Sequence, residues 1–141
     1  WAELESAEAL STREQSEKAL KTFTNAIAMF NETKNSLQTQ LNSIEDRDEI
    51  QMVESIIKAA SFRTNYCRGR IAVEEAKILD RKGDHYSSSQ KYSSAAENFE
   101  KIIKNMGSEH YRKELELILI ICRAWQKMTK AEAEASPFTV Y

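Results

Sequence analysis

Residues 70–99 read RIAVEEAKILDRKGDHYSSSQKYSSAAENF, and how this stretch is read decides the fold. One amphipathic segment stops at Gly83 and a second begins at Asp84. Gly83 can adopt the left-handed conformation that closes a helix, and Arg81 and Lys82 set positive charge at the negative end of the preceding helix dipole. Asp84 is then the natural N-cap of the next helix, its carboxylate accepting from backbone N–H groups that lack a partner within the helix. Upstream, Val53, Ile57, Ala60, Thr64, Cys67, Ile71, Glu74 and Ile78 recur in alternating steps of four and three. Downstream, Tyr92, Ala95, Phe99, Ile102 and Met106 do the same. Each segment therefore carries one apolar stripe that a neighbour must cover, and together they predict a helical hairpin.

Within this hairpin Ala76, Leu79, Gly83, Asp84, Tyr92 and Ala95 follow the order of a small residue, a large apolar residue, a turn glycine, its polar follower, an aromatic and a second small residue. In these positions the chain resembles one tetratricopeptide repeat, the helix-turn-helix unit that stacks into peptide-binding superhelices. The resemblance covers residues 69–102, about one repeat length of 34 residues. It implies a tetratricopeptide-like hairpin and a protein or peptide partner.

Working outward towards the N-terminus, Ser11 with Glu14 three residues later makes a capping box. From there Leu20, Phe23, Ile27, Phe30, Leu37, Leu41 and Ile44 keep the three-four rhythm with only Lys34 off pattern, which predicts a first helix of about eight turns. The acidic corner from Glu45 to Asp48 predicts a turn, with Asp46 or Asp48 capping the second helix. Folding back at this corner sets Ile44 near Ile50, Phe30 near Thr64 and Phe23 near Ile71. The same register places Glu74 near Leu20 and Lys34 near Ala60, so neither of these polar intruders on the stripe gains a named partner. The second helix runs to Lys82 with Gly69 inside it. A glycine there costs about 1 kcal/mol relative to alanine, so the site is either simply tolerated or a place where another helix comes close to the backbone.

Towards the C-terminus a third helix is predicted from Asp84 to Met106, closed by Gly107 and Ser108, and a fourth from Glu109 to about Ala135. The fourth is apolar around nearly its whole circumference from Leu115 to Trp125, which predicts cover on more than one side. Ser136 and Pro137 resemble a new N-cap followed by proline at the first helical position. Residues 1–135 are accordingly read as a single all-α domain, an antiparallel four-helix bundle with two long N-terminal helices, and residues 136–141 as the start of a truncated following segment.

Composition narrows the class further. The 141 residues suffice for one core without disulfides or metal, and three glycines with one proline are too few for the many turns of an all-β fold. A formal net charge of −2 with interspersed signs speaks against nucleic-acid binding. Cys67 and Cys122 both lie on apolar stripes and are expected as buried free thiols, a usage that suits a reducing, cytoplasmic compartment. The run from Leu115 to Cys122 falls far short of the roughly 20 apolar residues that span a bilayer, and the mixed polar faces do not suit a membrane surface. The chain opens at Trp1, not Met, and is read as a processed chain or an excised fragment.

No pattern of catalytic residues emerges. A carboxylate-bridged dimetal centre in a bundle needs Glu-x-x-His, yet Lys82 precedes His85 by three residues and Gly107 precedes His110. Both histidines are expected as surface residues in the first turn of their helices. Ser87 to Ser89 lack a phosphate-loop glycine pattern, and the pairs Glu97/Glu100 and Glu114/Glu116 read as solvated faces. The expectation is a chain that is not an enzyme, with no catalytic, cofactor or metal residues.

The polar feature that points to recognition is on the second helix. Arg63, Arg70 and Lys77 recur every seven residues beside the apolar stripe, with Arg81 four residues beyond. Such a row can orient an acidic or phosphorylated segment; its structural counterpart is a charge flank paired with glutamates of the next helix. Tyr92 continues the stripe and belongs to the core, Tyr86 is off it and suits a surface, and Tyr66 lies between. Trp125 reads as an anchor in the core or an interface. These residues predict a non-catalytic scaffold or protein-interaction module of a longer helical protein, burying a partner's segment against helices two and four. The alternatives are a regulatory or small-ligand-binding domain of a larger protein, and a homo-oligomer formed through helix four.

Overall fold

The computed structural model describes residues 15–105 and 112–135. They form four helices, α1 (Ser16–Leu41), α2 (Arg47–Arg81), α3 (His85–Lys104) and α4 (Arg112–Ala135), and no strand occurs among the described residues. The Ser11/Glu14 capping box, the Gly107–Ser108 stop, His110, Ser136–Pro137 and the segment 136–141 lie outside them. The fold is all-α.

The ends form where the local chemistry predicts. Asp46 caps α2, its carboxylate accepting from the backbone N–H of Asp48 at 2.9 Å. At the next corner Gly83 has φ of 85°, the left-handed conformation that costs a side chain dearly. That geometry lets Gly83 N–H reach Asp80 O and Asp84 N–H reach Leu79 O, each at 3.0 Å, closing α2. Asp84 then caps α3 by accepting from the N–H of Ser87 at 3.1 Å. With 26 and 35 residues, α1 and α2 are two to three times the usual helix length of about 11–12 residues.

The helices pack in chain order: the extensive interfaces are α1 on α2, α2 on α3 and α3 on α4. Two cores result. In the first, Ala19, Phe23 and Ala26 of α1 meet Cys67 of α2, with Ile71 and Tyr66 packed against the cluster. In the second, Ala95, Ala96, Phe99 and Ile102 of α3 meet Leu115 and Cys122 of α4, flanked by Phe62, Tyr66, Ala72 and Val73 of α2. Tyr66 borders both cores and meets Phe99 edge-on, with ring centroids 6.0 Å apart. Both cysteines are buried and free.

At Gly69 side chains of α3 crowd the backbone of α2. A Cβ at this position would lie 2.6 Å from Cζ of Phe99, whose ring is fully buried. Beside it Asn98 donates from Nδ2 to the carbonyl of Asn65 at 2.6 Å. Glycine is required here because a side chain would displace the ring that fills the α2–α3 seam.

α1 and α2 extend together as an arm. No residue between Ala26 and Ala60 is buried; Phe30, Lys34, Leu37 and Leu41 of α1, Ile44 in the corner, and Ile50, Val53 and Ile57 of α2 are only half covered. Two helices can shield each other on one side alone, so the stripe that is buried near α3 becomes a wet seam beyond it. Lys34 lies on that seam and is partly covered, as a long side chain with an apolar stem can be. No helix among the described residues is long and apolar enough to cross a membrane.

Candidate functional site

Helix α4 has two apolar faces and one extensive neighbour. Its inner face buries Leu115, Cys122, Thr129 and Ala133. Ser89 of α3 donates to the carbonyl of Gln126 at 3.2 Å, and Arg123 forms an ion pair with Glu100 that draws the Glu100 carboxyl below its ordinary range. Burial pushes the Cys122 thiol up to about 11, against the opposing influence of Arg70, Arg123 and Lys77. Those partners also place the inner face of α4 within the electrostatic reach of the α2 cations.

The outer face is open. Leu117, Ile120, Ile121, Trp125 and Met128 retain 57, 64, 47, 41 and 51% of their surface. The all-round cover expected of this helix is therefore not supplied by the other described helices, because α3 occupies one side of it and chain-order packing brings no second wall. Trp125 bridges the two regimes. One face of its indole stacks on Tyr92, with centroids 6.4 Å apart and planes 17° apart, while the residue remains 41% exposed. Tyr92 itself is buried, and desolvation followed by the negative charge of Asp80 keeps its hydroxyl protonated well above the usual tyrosine range.

The cationic row on α2 divides into residues with different partners. Arg70 is largely buried, its guanidinium 5.4 Å from the centroid of the Phe23 ring and its Nη1 donating to Tyr66 Oη at 3.3 Å. Glu74, fully buried, lies 3.8 Å from Arg70 Nη2 and 3.4 Å from Lys77 Nζ. Arg81 is exposed and donates from Nε to the carbonyl of Lys77 at 3.3 Å, and Arg63 is half-buried. The α1–α2 register predicted from the sequence offers Glu74 no partner, and the cationic row is expected to pair with glutamates of the next helix. The spacing itself held the answer, since residues 70, 74 and 77 are related by i,i+4 and i,i+3 on one helix.

Tyr86 is 46% exposed, accepts from Gln90 Nε2 at 2.8 Å and lines an open cleft of about 600 Å³ between α3 and α4 with Ser89, Gln126, Lys130 and Glu134. It is thus a surface residue on a different part of the molecule's chemistry from the α2 row. His85 departs from the expected surface position. It is half-buried, with Nδ1 2.6 Å from Asp80 Oδ1 and 3.1 Å from Glu132 Oε2, which ties the ends of α2, α3 and α4 together. These three side chains offer one ligand atom each within 4.8 Å of one another. Both His85 contacts are within hydrogen-bonding reach, and through them the trio latches three helix ends together.

The serines after Gly83, which carry no phosphate-loop pattern, have a packing role. Ser88 donates from Oγ to the carbonyl of Ala76 at 2.7 Å, and Ser89 makes its bond to α4, so neighbouring hydroxyls pin α3 to the helix on either side. Nothing in the local pattern announces Glu132 or Gln126 as partners, because both depend on the register of α4. Compared with family models, curated proteins and solved structures, the chain matches none.

Proposed function

We propose that this chain is a helical interaction module that receives an amphipathic helix on the outer face of α4. The observation that carries the reading is the row of five large apolar side chains on that face, each 41–64% exposed. A single exposed leucine or isoleucine is ordinary, but contiguous apolar surface on the scale of several hundred Å² marks a docking site. Trp125 supplies the anchor, held in orientation from beneath by Tyr92. The α2–α3 hairpin is the supporting unit and is proposed to be tetratricopeptide-like, a reading supported by full burial of Ala76 and Ala95. Arg70 and Lys77, engaged by Glu74, contribute to the scaffold, and the charges flanking α4 set the direction of the docked helix.

The test uses a labelled synthetic amphipathic helix with leucine at the first and fourth positions of each heptad. Its anisotropy should rise on titration with the wild-type chain and stay flat with Ile121→Lys. That substitution lies on an exposed position and should change folding stability by no more than about 0.5 kcal/mol. Equal binding by both proteins overturns the reading, as does binding by neither at concentrations where the chain is monomeric.

A further inference from the structure

We propose that the helix received by the outer face of α4 is α4 of a second copy of this chain, laid antiparallel across a two-fold axis. The inference rests on the docking reading above and names its occupant. Leu117, Ile121, Ala124, Met128, Ala131 and Ala135 alternate in steps of four and three, and all are exposed. This is a coiled-coil seam, distinct from the inner row that packs on α3.

The seam is self-complementary in one direction. When Ile121 faces Ala124 of the partner subunit, Leu117 faces Met128 of the partner subunit and Glu114 faces Ala131 of the partner subunit. Large side chains then meet small ones at the centre, and the helix dipoles oppose. Lys113 and Glu134 are both exposed and share one flank of the seam. The antiparallel register brings each beside its opposite in the other copy, twice by symmetry. A parallel arrangement would instead set Glu114 against Glu114. The five large side chains expose on the order of 500 Å² per copy, so mutual cover removes about 1,000 Å², the area at which specific interfaces begin.

Sedimentation equilibrium of the whole chain across a concentration series tests the proposal, with circular dichroism verifying that each variant is folded. The wild type should dimerise, Ile121→Lys should weaken the dimer at least about a hundredfold, and Lys113→Glu should weaken it about tenfold. Combining Lys113→Glu with Glu134→Lys should restore the wild-type constant. A wild type that is monomeric at every concentration, yet binds the synthetic helix through Ile121, overturns the second copy and leaves the docking reading standing. A monomer that also ignores the synthetic helix overturns both. A dimer indifferent to Ile121→Lys overturns the interface, and one lost in that variant but not rescued by the charge exchange overturns the antiparallel register.

Discussion

Glu74 is a carboxylate in the apolar stripe of α2, fully buried and flanked by Arg70 and Lys77. A buried charge is tolerated when its partners are fixed, and here the rigidity of a single helix fixes them. The triad is written in the sequence as a spacing, i,i+4 from residue 70 to 74 and i,i+3 from 74 to 77. Cys122 shows a different residue-scale effect. Its thiol is raised from 9.0 to about 11 in the folded chain, first by burial. The unfolded chain therefore loses this proton at lower pH than the folded one. The contribution is complete below about pH 9 and is lost as pH rises towards 11, amounting to about 2 kcal/mol. Urea midpoints between pH 8 and 11 should fall more steeply for the wild type than for Cys122→Ala. Parallel curves would show that the thiol does not titrate differently on folding.

Between elements, the α2–α3 contact depends on the absence of one side chain. Gly69→Ala improves helix propensity by about 1 kcal/mol, yet its methyl would sit 2.6 Å from the tip of a fully buried ring, which would have to shift. Overpacking outweighs the propensity gain, and the variant should be about 1–2 kcal/mol less stable than wild type. The same substitution in a Phe99→Leu background should cost less, or stabilise, because the obstructing ring tip is gone. Equal effects in the two backgrounds, measured by thermal or urea unfolding, would remove the steric account. The hairpin around this contact was legible from Gly83, Asp84 and the two stripes. The close approach at Gly69 was left open, because an isolated glycine in a helix has the same appearance whether crowded or merely tolerated.

The whole molecule is a packed body of α2, α3 and α4 with α1 along its side and the α1–α2 arm extending beyond. Cover changes along α2: its buried residues all lie from Ala60 onward, and every residue before that is exposed or only partly covered. Stability should follow cover. Native-state hydrogen exchange is expected to show backbone amides of residues 30–57 opening at lower free energy than those of residues 60–80 and 92–102. Uniform protection across both regions would mean that the arm and the body unfold as one unit.

What the sequence determined by itself was local: four helices, a cap at the acidic corner and another at Asp84, the glycine turn at Gly83, and the pairing of α1 with α2. Each of these follows from interactions between residues a few positions apart, or from matching two long periodic stripes that a single turn forces together. Tertiary structure alone decided that Phe99 lies on Gly69, that His85 joins Asp80 to Glu132, that the arm goes uncovered and that α4 is covered on one side. The all-round apolar pattern of α4 predicted two covered sides, because apolarity states only that a face gains by burial. Which face receives a neighbour depends on where the other helices end, and that is a property of the assembled chain.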